Sequence, residues 1–541
     1  MTRRPGRSGG WLTVALAVAA SLAVSTCGDA SPTTQPSPSA STSSPAPASV
    51  APTADAETAP PGTTPEPTAS QASPNSTASA APTPTQSEDG WPVAVADSNQ
   101  GGLPAIDADG TAYAWIPGAD GNSLVAAFDA GGRMRPGWPV DVAPGSHLRS
   151  VGVLSDGSVL IGVTETVAGN DYRLHRLGRD GRERPGWPVG ADWPVGPMVP
   201  WCAAGPEGPD GTLYVGCALA DGGPTLVVAL QPDGRVVPGW PVALEHVILA
   251  SAWGETIQVS PDGTVFVLTN PATSMGRAIL YALAPDGHVQ PGWPVVLGAA
   301  RGGYRVVPGG RILVGTYLPP AKPVGGLCSE ARATVFTELD GRGRVVAGWP
   351  QRAVGFASVP AIAPDGTVYY LTRDRLIARS PDGSLRDGWP VRIADTYSEC
   401  GSSGPYLGPD DTVYAFADGL RAFTPGGRPK PGWPFRPPGA FTALPCMADV
   451  STGPAPAFGA DGAVYVATAA VSASGSFGPG EVTAVDQRGR VVPGWPYVVY
   501  PEDHSGVIAM TYSNGHLYVT AADCRTGSRL LALAPDGTLA R

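Results

Sequence analysis

The tripeptide Gly-Trp-Pro occurs nine times, with its Trp at positions 91, 138, 187, 240, 293, 349, 389, 433 and 495. Spacings of roughly 40 to 60 residues mark a chain built from repeated supersecondary units. The clearest copy runs Ser358-Val359-Pro360-Ala361-Ile362-Ala363-Pro364-Asp365-Gly366-Thr367-Val368-Tyr369-Tyr370-Leu371, then Arg375 to Ser380, Pro381-Asp382-Gly383, and Ser384 to Val391. It holds four short apolar segments, with Pro-Asp-Gly between the first and second and again between the third and fourth. Pro presets φ, while Asp and Gly supply the turn bond and the positive φ that a tight hairpin needs. Four antiparallel strands in about 45 residues make one β-propeller blade. No long stretch keeps a 3.6-residue apolar period without Gly or Pro, which excludes a helical fold.

With the strands of each blade named A to D from the inside outward, Gly-Trp-Pro falls on strand D. A Pro on that edge costs no ladder bond and blocks edge-to-edge pairing. The Trp is expected to pack back across its blade or onto the next one. Nine copies of the hairpin pattern begin near Pro104, Ser150, Met198, Glu255, Gly303, Ser358, Ser403, Pro454 and Ser505. An eight-bladed ring with one degenerate copy is the alternative. The ninth copy ends at Ala534-Pro535-Asp536-Gly537-Thr538-Leu539-Ala540-Arg541 without a Gly-Trp-Pro, and Asp89-Gly90-Trp91-Pro92-Val93 stands unused ahead of the first. That N-terminal segment is expected to supply the last outer strand and close the ring.

Residues 1–26 read as an export signal: Arg3, Arg4 and Arg7 precede an apolar stretch, Trp11 to Val24, too short to span a bilayer. The following Val24-Ser25-Thr26-Cys27-Gly28 resembles a bacterial lipobox, which implies lipidation at Cys27 and attachment to the extracytoplasmic side of the cell membrane. Residues 27–87 are nearly all Ser, Thr, Pro, Ala and Gln and have too little apolar surface to offset ordering entropy. A flexible tether of roughly sixty residues has an r.m.s. span of about 40–45 Å. The propeller itself is assigned to 88–541.

A net charge of −11, with only Lys322 and Lys430 as lysines and no basic run, makes nucleic acid an unsuitable partner. Six cysteines follow Cys27: 202, 217, 328, 400, 446 and 524. Cys202 and Cys217 lie on either side of the Pro209-Asp210 turn and are expected to pair across an A–B hairpin. Cys400 and Cys446 fall in D-to-A connections of successive blades and are candidates to pin adjacent loops. The pairing of Cys328 and Cys524, in B–C loops four blades apart, stays open. Disulfides in an oxidising compartment fit this usage better than redox catalysis. Each turn offers one Asp where a calcium loop needs several alternating oxygens, and His147, His175, His246, His288, His504 and His516 lack zinc-type spacing, so no metal site is assigned. No Gly-x-Ser-x-Gly elbow or Cys/His pairing suggests a nucleophile.

The Asp-Gly-Thr-Val-Tyr-type hairpin followed by Tyr281-Ala282-Leu283-Ala284-Pro285-Asp286-Gly287, with near-copies at Val228-Ala229-Leu230 and Leu531-Ala532-Leu533, resembles the PQQ-like, quinoprotein-type propeller repeats over about 88–541. The resemblance implies either a quinone-dependent dehydrogenase or a cofactor-free envelope lipoprotein that scaffolds assembly. The dehydrogenases place a disulfide between neighbouring cysteines over the cofactor and hold calcium with acidic and amide groups; this chain has no adjacent Cys pair.

The A–B and C–D turns share one face and are short. The B–C and D-to-A connections share the other and vary in length, as at Tyr317–Ala331, Arg436–Gly453, Ala467–Gly480 and Tyr500–Ser505. Variable loops on a rigid scaffold carry binding, so this face is the expected functional one. The expectation is a monomeric, non-enzymatic, cofactor-free scaffold binding an envelope protein or polymer. The alternatives are a quinone-dependent or other enzyme acting in the central funnel, or a carbohydrate-binding propeller using Trp193, Trp201, Trp253 and Phe441.

Overall fold

The computed structural model describes residues 90–95 and 104–541 apart from connecting segments that include 119–122, 165–171, 191–197, 247–255, 271–276, 319–330, 394–403, 442–453, 472–476, 500–504 and 524–526. Cys27, the signal and the tether lie outside the described residues, as do Cys328, Cys400, Cys446 and Cys524. Every regular element among the described residues is a strand. The strands form nine antiparallel sheets, eight of them built from consecutive segments of chain, and the ring has nine blades.

Blade 3 shows the unit in full: Met198–Glu207, Leu213–Leu219, Thr225–Leu230 and Val242–Leu244, paired in that order. First strands of neighbouring blades touch, as Met198–Glu207 does Ile257–Val259, and Ile257–Val259 does Gly302–Val307. This puts strand A on the inside. In blades 1, 2 and 7 the outer strand shrinks to single bridges, Val125 to Val140, Leu174 to Val189 and Leu420 to Phe435. The expectation of four full strands in every blade is corrected there. In each, the bridge is made by the residue directly after the Trp-Pro.

Closure follows the expected route. Val93–Val95 pairs antiparallel with Gly527–Leu533, placing Val93 opposite Leu530, Ala94 opposite Arg529 and Val95 opposite Ser528. The ninth blade therefore takes its outer strand from the start of the domain. A ring closed this way leaves no blade with a missing edge.

The core lies between blades as well as within them. One slab joins Tyr214, Val227, Ala229 and Trp240 of blade 3 to Ile257, Val265 and Val267 of blade 4. Strand B explains its composition: its residues alternate between the two neighbouring blades and are buried on both, so they read as continuous apolar runs such as Val265–Thr269.

Two details depart from the repeat as read from sequence. The A–B turn of blade 5 is Pro308-Gly309-Gly310 and that of blade 9 is Ser513-Asn514-Gly515, so neither carries the Asp. Two stretches read as loops are partly strand. Arg311–Leu318 takes in Tyr317, and Val464–Val471 with Phe477–Val485 extends through most of Ala467–Gly480. Ala467 opposite Val482 and Thr468 opposite Glu481 continue the ladder, with a register shift between Ala469 and Val471 before it ends. Small residues keep pairing where a turn signal is absent.

Turn carboxylates are used locally. The Asp382 carboxylate accepts from the Ser384 hydroxyl and backbone N–H, and Asp536 does the same from Thr538. Both carboxyls are held below the usual Asp value, first by the hydroxyl bond and then by the backbone bond. Asp262 is lowered chiefly by the Ser260 hydroxyl. A depressed native pKa contributes stability that is fully present above the unfolded value of about 3.9 and lost as pH falls through the native values. The melting midpoint is therefore expected to hold steady from neutral pH to about pH 5 and to fall below about pH 4. Equal midpoints at pH 6 and pH 3 would contradict this use of the turns.

Candidate functional site

The two faces are put to different uses. On the short-turn face, each Gly-Trp-Pro indole reaches forward to the next blade. Trp138 Nε1 donates to Arg179 O, Trp187 to Pro232 O, Trp240 to Pro285 O and Trp293 to Gly341 O. Trp349 donates to Pro381 O, Trp389 to Pro425 O, Trp433 to Gln487 O and Trp495 to Pro535 O. Trp91 completes the circle with a 2.8 Å bond to Ala130 O in blade 1. Every acceptor sits in the C–D turn of the following blade, so nine bonds join nine blades.

The ring plane is used as well. Trp240 packs at a steep tilt against Tyr214 of its own blade, with ring centroids 5.5 Å apart, and Tyr113, Phe266, Tyr369, Tyr414 and Tyr465 play the same part for Trp138, Trp293, Trp389, Trp433 and Trp495. Both expected destinations of the Trp are therefore occupied: the ring contacts its own blade and the N–H its neighbour. Blades 2 and 5 have Leu160 and Leu313 where the others have this aromatic. An arginine compensates in each. Arg176 lies over the Trp187 ring and donates to Pro232 O, and Arg311 donates to Pro381 O.

Cations just before Gly-Trp-Pro tie the two turns of one blade together. Arg386 Nη1 lies 2.7 Å from Asp365 Oδ2 and also bonds the Thr367 hydroxyl; Lys430 Nζ lies 3.0 Å from Asp410 Oδ2 and 2.9 Å from Thr412 Oγ1. Turn carboxylates and hydroxyls are thus committed to bracing single blades, and the indoles to joining them.

The opposite face carries the connections that vary in length. Trp193 and Trp253 lie outside the described residues. Trp201 belongs to strand Met198–Glu207. Phe441 packs on Phe416 at 4.9 Å and on Phe435 at 6.1 Å, a cluster that Tyr406 joins through Phe416. Tyr317 and Phe356 stack at 5.0 Å at the same end of blade 5. Blades 6 and 7 have tight B–C turns: Thr372 N bonds Arg375 O, and Ala417 N bonds Gly419 O. Asp418 in the second turn holds two guanidiniums, Arg421 and Arg436, each at 2.6 Å.

Cys202 and Cys217 face each other across the A–B hairpin of blade 3 and are joined by a disulfide, with Cα atoms 4.1 Å apart. The histidines are scattered: His175 Nδ1 meets Glu183 at 2.8 Å, His288 lies 3.2 Å from Asp286, and His516 bonds Asn514 O. Among the described residues no group of three or more His, Cys, Asp or Glu is placed to hold a metal ion. The adjacent cysteine pair that the resemblance implies for the quinone-dependent enzymes is absent from the sequence, and turn carboxylates such as Asp365 and Asp382 are spent in their own turns. Among the described residues none is arranged to hold a quinone with its calcium.

No protein-family model matches the chain, and no curated protein matches it. Solved structures similar to it are β-propeller proteins. Virginiamycin B lyase from Staphylococcus aureus is 12% identical, with 60% of this chain and 94% of that one covered and a TM-score of 0.33. The Dos1 propeller is 9% identical, with 82% and 94% covered and a TM-score of 0.40. Dipeptidyl peptidase 4 from Porphyromonas gingivalis is 12% identical, with 83% and 60% covered and a TM-score of 0.42. At these values the likeness adds nothing on activity, and the propeller assignment stands on the nine sheets and their closure.

Proposed function

We propose that this chain is a non-catalytic binding scaffold of the cell envelope, held by a lipid at Cys27 and a Ser/Thr/Pro-rich tether, and that it takes an envelope protein or polymer on its loop-bearing face. The observation that carries this reading is the division of labour between faces. Nine indoles are consumed in joining blades, and turn carboxylates such as Asp365, Asp382 and Asp536 in bracing the turns of their own blades. Recognition then falls to the connections of variable length on the other side. The PQQ-like resemblance of the repeats agrees with the scaffolding branch of that family, because the chain lacks the vicinal cysteines of the quinone enzymes.

The test is photo-crosslinking in living cells. One probe is placed at Phe441 on the loop-bearing face, and a matched probe at Asp382 in the turn opposite. Specific neighbours captured by the Phe441 probe alone are the expected result. Equal capture from both positions, or none from Phe441, would overturn the reading and direct attention to an enzymatic or glycan-binding role.

A further inference from the structure

Aligned on its Trp, each outer strand has an equivalent position three residues later, at the loop-face end. Around the ring from blade 9 these residues are Ala94, Asp141, Gly190, Ala243, Val296, Arg352, Arg392, Arg436 and Val498. Cations occupy the position in three blades, 5, 6 and 7, and those three are consecutive. Arg352, Arg392 and Arg436 are all exposed.

Two further arginines reinforce the arc. Arg375 is exposed and stands directly opposite Arg392 across the C–D pair of blade 6. Like charges placed opposite each other disfavour a sheet, so this pair is a local cost with no return inside the blade. In blade 7 the two oxygens of Asp418 bind Arg421 and Arg436, and Arg436 Nε also bonds Asp418 O. This fixes two guanidiniums side by side while leaving N–H donors on each. The charged side chains described here are five Arg against Asp374, which lies 3.7 Å from Arg375, and Asp418. A concentration of positive charge on a chain of net charge −11 is a local feature that composition does not explain.

We infer that the outer rim of blades 5 to 7 is a docking arc for a linear polyanion with repeating phosphate groups. Three features select that chemistry. The cations repeat once per blade along a curve, which suits an extended chain carrying charge at intervals. Guanidinium forks match phosphate oxygens in pairs. The outer strands here are only two to four residues long, Gln351–Val354 and Val391–Arg392, and each follows a Pro, so strand addition by a peptide has little edge to use. This inference rests on the loop-bearing side being the binding side and names the partner class for its rim.

The experiment uses the purified full chain and long-chain polyphosphate as the probe, titrated over a series of salt concentrations. The double variant Arg352→Gln/Arg392→Gln is expected to bind about tenfold more weakly, with the slope of log K against log salt reduced by roughly 1.4. The double variant Arg342→Gln/Arg488→Gln removes the same charge from exposed C–D turns on the other face and is expected to bind like the parent. The melting curve of the control variant should match the parent, and that of Arg352→Gln/Arg392→Gln should lie no lower, since all four side chains are exposed and Arg392→Gln relieves the pair with Arg375. Equal weakening in the two variants, or no binding by the parent chain, would overturn the arc. Poly-glutamate bound as tightly as polyphosphate would overturn the phosphate assignment in favour of an acidic peptide. Capture by the Phe441 probe does not depend on any of these titrations, so the scaffold reading and the arc can fail separately.

Discussion

Replacing Trp91 by Ala is expected to cost about 3–5 kcal/mol of stability, the range for removing a large buried aromatic. Trp91 is 5% exposed and its ring meets Tyr518 of blade 9 at 6.1 Å and Phe128 of blade 1 at 6.0 Å. Its N–H bonds Ala130 O across the same junction. The residue lies at the seam where the two ends of the domain meet, so its loss weakens ring closure as well as one blade. Trp91→Phe keeps most of the packing and leaves Ala130 O without its donor, and is expected to cost about 1 kcal/mol. Trp433 is less buried than the other eight, and Trp433→Ala should be the mildest of the nine alanine variants. Chemical denaturation of the set checks the order; a Trp91→Ala variant as stable as Trp433→Ala would contradict the role given to the seam.

The second large effect lies in blade 5, where Arg311 Nε sits 2.8 Å from Glu338 Oε1 and Glu338 is buried. The contact is an ion pair without the alignment of a full hydrogen bond. Burial pushes the Glu338 carboxyl up, and the Arg311 guanidinium pulls it partly back. Removing the cation alone leaves a buried carboxylate uncompensated, and Arg311→Met is expected to cost about 3–5 kcal/mol at neutral pH. The sign of the pH dependence follows. Glu338 holds its proton more tightly folded than unfolded, so stability falls as pH rises from the unfolded value through the native one. Without Arg311 the native value rises further, and the penalty of Arg311→Met should be smaller at pH 5 than at pH 8. Adding Glu338→Leu should recover most of the loss, because a well-packed apolar pair replaces a buried ion pair at little cost. A penalty independent of pH would contradict this account of blade 5.

These two cases also mark what the sequence reveals. The Gly-Trp-Pro spacing, the Asp-Gly hairpins and the stranded Asp89–Val93 segment were enough to expect a propeller closed by its N-terminus. They were legible because each is a local chemical requirement repeated at one position. Cys202 and Cys217 were legible for a similar reason, since a tight hairpin between them fixes their register. The acceptors of the nine indoles were not, because a backbone carbonyl at Pro232 or Gly341 has no residue type to announce it. Arg311 and Glu338 were hidden by their separation along the chain and by the absence of a motif around either. The rim arginines at 352, 392 and 436 could have been found by aligning the repeats on Trp. Their meaning depends on strand D being the exposed edge of three successive blades, which the sheet order supplies. The loop-bearing face was least legible, because its connections differ from blade to blade and no copy predicts the next.

The circle of indole bonds binds nine blades through one face. Selective ¹⁵N labelling of Trp, with each indole assigned by a Trp→Phe variant, would test it by hydrogen exchange. Slow exchange of the indole N–H at all nine Gly-Trp-Pro positions, with those of Trp495 and Trp138 becoming faster when Trp91 is replaced by Ala, is the result expected of a closed ring. Fast exchange at Trp91 with protection unchanged elsewhere would mean that the N-terminal strand does not close it.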